Sequence, residues 1–164
     1  MWTMYLSITV RSKDQMKPLS EHEISRPVPG LVQSLAREVA VRVRDDLAVH
    51  DLAGVRPIHA PLLVQLLGGG RRAADLAEAT GVSRQAVAQV VTTLERDGYI
   101  ERIADPGDSR AKLVCLTARG RAALRRMRSS SLALEEEWRD RIGGERLTAL
   151  GEVLSELLTA AKVQ

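Results

Sequence analysis

The chain has 164 residues, a formal net charge of +3, 45% hydrophobic residues and a single cysteine. That length supports one domain with a substantial core, or one small domain with an oligomerisation appendage. One cysteine excludes an internal disulfide and fits a reducing cytoplasm, and two Trp, two Tyr and no Phe require an aliphatic core and leave no stacking platform for single-stranded nucleic acid.

MWTMYLSITV alternates like a strand, and the RSKDQMKPLSEHEISRPVPG after it is polar and proline-containing, so residues 1–29 read as an arm. It is either an unstructured leader, with Met16 an alternative start, or a strand that pairs with a partner subunit. No cation precedes the short apolar run, so no secretory signal is expected. The run is also too short to span a membrane. From there Leu31, Leu35, Val39, Val43 and Leu47 step along a helix that is expected to end near Gly54. Pro57 and Pro61 suit the first turn of a second helix, whose Leu62, Leu63, Leu66 and Leu67 make it apolar on nearly every side and therefore central. Gly68, Gly69 and Gly70 close it.

RRAADLAEATG predicts a short helix with Leu76 and Ala77 inward and Gly81 at positive φ, followed by Val82 plugging the turn. Ser83 is an N-cap for SRQAVAQVVTTLERDG, although Ala86 stands where a reciprocal Glu or Gln would complete the capping box. In this second helix Val87, Val90, Val91 and Leu94 form a buried stripe, leaving Arg84, Gln85, Gln89, Thr92 and Arg96 on the opposite face. A major groove could receive that face, because Gln pairs bidentately with adenine, Arg with guanine, and residues near the helix start reach the bases. In isolation Gln85 and Gln89 would read as ordinary solvated surface. Gly98 stops the helix. YIERIA and AKLVCLT read as strands joined by DPGDSR, with Arg110 projecting from the tip.

Thr117 then caps a long helix carrying Leu124, Met127, Ser131, Leu134, Trp138 and Ile142 along one face and a Glu135–Arg139 ion pair. Gly143 and Gly144 break it, and a last helix repeats the stripe with Leu147, Leu150, Leu154, Leu157 and Ala161. Periodicity alone leaves packing within the chain and packing against a second copy equally open. Charge is uneven along this length. Residues 71–128 hold 12 Lys/Arg against 7 Asp/Glu, a balance of +5, whereas residues 135–164 hold 4 against 7, a balance of −3. The helix-turn-helix is the basic part, and Arg71, Arg72, Arg96 and Lys112 are candidate phosphate contacts that would position without reading sequence.

The stretch LAEATGVSRQAVAQVVTTLERDGYIERIADPGDSRAKLVCLTARG resembles the MarR family of bacterial winged-helix transcription regulators: Leu-Ala, turn, recognition helix, an Asp-Pro-x-Asp-x-Arg wing and Leu-Thr-x-x-Gly. The likeness runs from about Leu31 to the end and is absent before Pro29. Two departures stand out: Ala73 where the family often has a Ser or Thr cap, and a recognition face with few cations. The resemblance implies that Arg110 enters the minor groove, that Asp108 steadies it, and that the protein is a homodimer. It also implies release by a small-molecule effector in a cleft between dimerisation helices and winged helix. The region of His50, Arg56, His59 and Trp138 could line such a cleft, with structural packing the plainer role for each.

Other chemistries find little support. Gly68 to Gly70 lack the Lys-Ser/Thr of a phosphate-binding loop, and His22, His50 and His59 form no metal-binding pattern, so neither metal nor cofactor is expected. Cys115, between Val114 and Leu116, reads as a buried inert thiol. The sequence therefore predicts a mainly α fold with a small β-wing: an arm at 1–29, a winged helix-turn-helix at 55–117, and N- and C-terminal dimerisation helices at 30–54 and 118–164. The predicted function is that of a cytoplasmic, non-enzymatic regulator, in all expectation a repressor, binding double-stranded DNA at a pseudo-palindromic site. A winged helix that docks proteins instead is the alternative, and an enzyme acting on a small molecule is a third reading that lacks an acid–base set.

Overall fold

The computed structural model describes residues 27–160; residues 1–26 of the arm expected at 1–29, like Ala161, lie outside them, while Val28 and Pro29 belong to the first helix rather than to an arm. The chain falls into two units, residues 1–35 and 36–164, that meet within the first helix. Among the described residues the order is α1 (Val28–Val49), a 3-10 turn (Pro57–His59), α2 (Ala60–Val64), α3 (Ala73–Thr80), α4 (Arg84–Arg96), β1 (Ile100–Asp105), β2 (Asp108–Leu116), α5 (Ala118–Ile142) and α6 (Gly144–Ala160).

α1 differs from expectation at both ends. It starts a turn early, with the Pro27 carbonyl accepting from the Gly30 and Leu31 amides, so that Pro29 falls in a first turn where its missing N–H costs nothing. It also stops at Val49, short of Gly54. Asp51 adopts the left-handed conformation (φ 57°), which lets the Leu52 amide reach back to the Leu47 carbonyl at 2.9 Å. Asp tolerates this better than most residues, so it ends the helix as a glycine would.

α2 is also shorter than its leucines suggested. After Val64 the amides of Gln65, Leu66 and Leu67 each bond three residues back, a 3-10 geometry that stacks Leu67 on Val64. Both face outward, Leu67 being 62% exposed, while Leu62, Leu63 and Leu66 enter the core as expected. Gly70 then passes so close to β2 that a Cβ there would sit 2.6 Å from Cys115 Sγ. The Arg71 backbone pairs with Val114 in both directions, at 3.0 and 2.8 Å, and adds a one-residue bridge to the wing.

α3 ends at Gly81 in the left-handed conformation (φ 66°), as its sequence predicts, but Val82 remains 44% exposed and does not plug the turn. Ser83 Oγ accepts from the Ala86 amide, and α4 buries Val87, Val91 and Leu94, with Val90 partly covered. β1 and β2 pair antiparallel from Ile100↔Leu116 to Asp105↔Asp108, with a register shift between Ala104 and Asp105. α5 buries Ala123, Met127 and Leu134, whereas α6 buries none of its residues. A single aliphatic cluster, running from Val43 on α1 through the helix-turn-helix to Leu134 on α5 and including Tyr99 as its one aromatic, fixes α4 in place.

Candidate nucleic-acid interface

α4 can present a face because only its other side is needed by the core. Its first turn is held by the Ser83 cap, and its last turn by Gly98 (φ 75°) and the Tyr99 amide, which donates to Leu94 O at 2.8 Å. The outward side forms a shallow open groove lined by Gln85, Ala88, Gln89, Thr92 and Thr93. Arg84, Gln85 and Gln89 are exposed, and their side chains make no hydrogen bond or ion pair among the described residues. Ala88 and Thr93 were absent from the residues singled out in the sequence. The complement of the Val87–Val91–Leu94 stripe would have placed Ala88 there, and a small apolar side chain at that position suits a thymine methyl.

The wing is longer and sharper than its sequence suggested. Only Pro106 and Gly107 lie between the strands, so Arg110 sits on β2 rather than at the tip. Asp108 Oδ1 accepts from the Arg110 amide at 3.1 Å, while its other oxygen lies 3.5 Å from the Arg72 guanidinium. Asp108 thus holds the Arg110 backbone, and among the described residues the Arg110 side chain has no ion-pair partner. Arg110 and Lys112 are both exposed.

The cations that sequence counted alike separate into two groups. The side chains of Arg71, Arg84, Arg110 and Lys112 have no acidic partner among the described residues. Arg72 pairs with Asp105 at 2.6 Å, and Arg96 with Asp97 at 2.9 Å. The amide of Gly107 and the Arg72 guanidinium hold the Asp105 carboxyl below the usual carboxylate range, and Asp105 in turn raises Arg72. Arg102, which sequence passed over, joins β1 to α4 through Glu95 and, at 3.5 Å, Thr92.

The four residues of the expected effector cleft do not converge. Arg56 and His59 line one cavity of about 360 Å³ together with Val82, Val87 and Val90. His59 is 6% exposed, its Nδ1 accepts from the Arg56 amide at 3.2 Å, and burial, then the nearby Arg56 charge, lower its pKa. Trp138 lines a separate groove between α5 and α6 with Leu147 and Leu154. His50 is exposed at the end of α1, where its Nδ1 lies 2.8 Å from the Asp46 carbonyl. Cys115 is half-buried rather than fully buried, and desolvation, then Glu101, push its thiol up, away from a reactive thiolate. No group of His, Cys, Asp or Glu among the described residues could hold a metal ion, and no helix is long and apolar enough to cross a membrane.

Two helices, a tight turn and a two-stranded ribbon in this order define a winged helix-turn-helix. Residues 53–111 match the model of the MarR family. Among solved structures, the chain is similar to the transcriptional repressor CouR bound to a 23-mer DNA duplex (22% identity, 87% of this chain and 99% of that one, TM-score 0.68). It is similar to Streptococcus pneumoniae FabT in complex with DNA (21%, 82% and 95%, TM-score 0.69). It also resembles a transcriptional regulator of Thermotoga maritima (25%, 83% and 94%, TM-score 0.57). No curated protein matches the sequence significantly. The match to the MarR family thus covers the winged-helix segment, and the likeness to these solved regulators is one of fold.

Proposed function

We propose that this protein is a transcriptional regulator that binds double-stranded DNA sequence-specifically, as a homodimer in the cytoplasm. Repression of the genes beside a pseudo-palindromic site is the direction we favour. The observation that carries this reading is the open outward face of α4, where the side chains of Arg84, Gln85 and Gln89 have no partner among the described residues, together with the Arg110 guanidinium, which has no ion-pair partner among them. Polar side chains left without partners are satisfied by a ligand with matching edges, and base edges in a major groove match Gln and Arg. Arg84, Gln85 and Gln89 read bases, Arg110 reaches the neighbouring minor groove, and Arg71 and Lys112 contact phosphates. CouR and FabT, which share the fold, were both solved with DNA. Two copies related by a two-fold axis would present their α4 helices to successive major grooves, about 34 Å apart.

The same proposal includes release by a small molecule. The Arg56–His59 cavity supports it, since Val87 and Val90 on its wall belong to α4 itself, so that an occupant would act on the helix that reads DNA. Selection of duplexes from a random pool, followed by anisotropy titration, tests these points together. Affinity for the selected duplex should fall steeply with salt, by about 10- to 100-fold for Gln89→Ala or Arg110→Ala, and a compound that dissociates the complex should fail on Arg56→Ala. Recovery of no enriched sequence would remove Gln85 and Gln89 as base readers and favour a protein-docking module.

A further inference from the structure

We propose that Arg72 is a positioning residue that straps the wing to the helix-turn-helix, rather than a phosphate contact, and thereby sets where Arg110 meets DNA. The proposal rests on the DNA-binding reading above. Arg72 occupies the N-cap of α3, where a Ser, Thr, Asn or Asp would satisfy a free amide, yet its side chain makes no capping bond. The guanidinium turns instead to the wing: Nε and Nη2 donate to Asp105 Oδ2 at 2.8 and 2.6 Å, and Nη2 lies 3.5 Å from Asp108 Oδ2.

The two carboxylates work on the turn as well as on the arginine. Asp105 Oδ1 accepts from the Gly107 amide at 2.9 Å, and Asp108 Oδ1 accepts from the Arg110 amide at 3.1 Å. Each acid therefore spends one oxygen on shaping the tip and turns the other toward Arg72. Asp105, whose side chain is only 13% exposed, is the more enclosed of the pair, and the shift in strand register falls at that residue. One residue earlier, the Arg71 backbone bridges Val114 near the base of the wing. Adjacent residues thus pin the ribbon at two heights. A two-stranded ribbon holds its own orientation poorly, so this second attachment decides where the tip points.

Electrostatics gives the strap a test of sign. Arg72 already faces Asp105 and Asp108, with Asp75 also nearby, so it offers a phosphate little net positive potential. Removing the Asp105 charge would, by Coulomb attraction alone, tighten binding to a polyanion. The strap requires the reverse. With the selected duplex, Asp105→Asn and Arg72→Ala should each weaken binding about fivefold or more, and the double variant should be no worse than the weaker single, as expected for groups acting as a unit. Arg72→Lys, which keeps the charge and loses the two-armed geometry, should fall between. In the free protein, amide hydrogen exchange over residues 105–112 should accelerate in all three single variants while α4 stays protected.

Unchanged or tighter binding by Asp105→Asn, with Arg72→Ala weakened and its salt slope reduced by about one, would overturn the strap and restore Arg72 as a phosphate contact. Unaltered wing exchange in the variants would overturn it equally. A wild-type protein that binds no duplex would sink the DNA-binding reading instead, and the exchange arm would still decide the strap.

Discussion

At the scale of single residues, the Leu-Thr-x-x-Gly segment shows how one hydroxyl and one missing Cβ join three elements. Thr117 Oγ1 donates to the Gly98 carbonyl at 2.7 Å and accepts from the Gly120 amide at 3.1 Å, so it caps α5 while closing the end of α4. A Cβ on Gly120 would lie 2.0 Å from the Tyr99 carbonyl oxygen, and backbone cannot step aside as a side-chain tip can. Gly120→Ala should therefore cost about 3 kcal/mol or more, beyond the usual overpacking penalty, and Thr117→Ala about 1–2 kcal/mol. Urea unfolding midpoints measure both, and a Gly120→Ala midpoint equal to wild type would refute the close contact. Thr117 was legible in the sequence because capping is local. The need for glycine at 120 was not, because the atom it avoids arrives from the far side of the wing. Arg72 and Asp105, which are 33 residues apart, were hidden for the same reason, and Arg72 counted simply as one more cation.

At the scale of elements, α1 and α5 are held together by ion pairs as well as by Val43, Leu47 and Met127. Arg42 reaches Glu137 at 2.8 Å, and one turn further Asp46 receives Arg126 and Ser130. The Arg126 hydrogen bond is the main cause that lowers the Asp46 pKa from 3.8 to about 2, with Ser130 and the charges of Arg126 and His50 assisting against desolvation. A carboxyl depressed in the folded state contributes stability that is complete above its ordinary pKa and is lost as pH falls through its folded value. Wild type should thus exceed Asp46→Asn in urea midpoint at pH 6, and the gap should close between about pH 4 and pH 2. A gap independent of pH would mean that Asp46 acts by packing alone. Helix periods in the sequence located α1, α4 and α5 because each repeats apolar residues at helical spacing, although on α1 only Val43 and Leu47 of that stripe are buried while Leu31 and Leu35 are exposed. Their ends were less readable, since Asp51 took a left-handed conformation that its residue type permits but does not demand. The wing tip shrank to two residues because the acids of DPGDSR found partners on another element.

At the scale of the whole molecule, α6 is an element whose apolar residues the described part of the chain leaves uncovered. Leu150, Val153, Leu157 and Leu158 are 37 to 65% exposed, an apolar run that a water-facing helix would not ordinarily keep. The proposed homodimer would cover it. Sedimentation equilibrium at micromolar concentration should give twice 18.0 kDa for wild type, and Leu157→Asp with Leu158→Asp should shift the mass toward one copy and weaken duplex binding. A wild-type protein of 18.0 kDa that still binds its duplex tightly would remove the dimer from the mechanism.

The first turn of α5 is bolted through Thr117 and Tyr99 to the end of α4, and its 25 residues run on from there without a break, about 37 Å of rod. Such a rod works as a crank. A tilt of only about 5° along that length displaces one end by about 3 Å, comparable to the rise of one base pair. If α4 reads DNA in the proposed homodimer, torque applied near Trp138, toward the other end of this rod, would be enough to put the two α4 helices out of step with the groove.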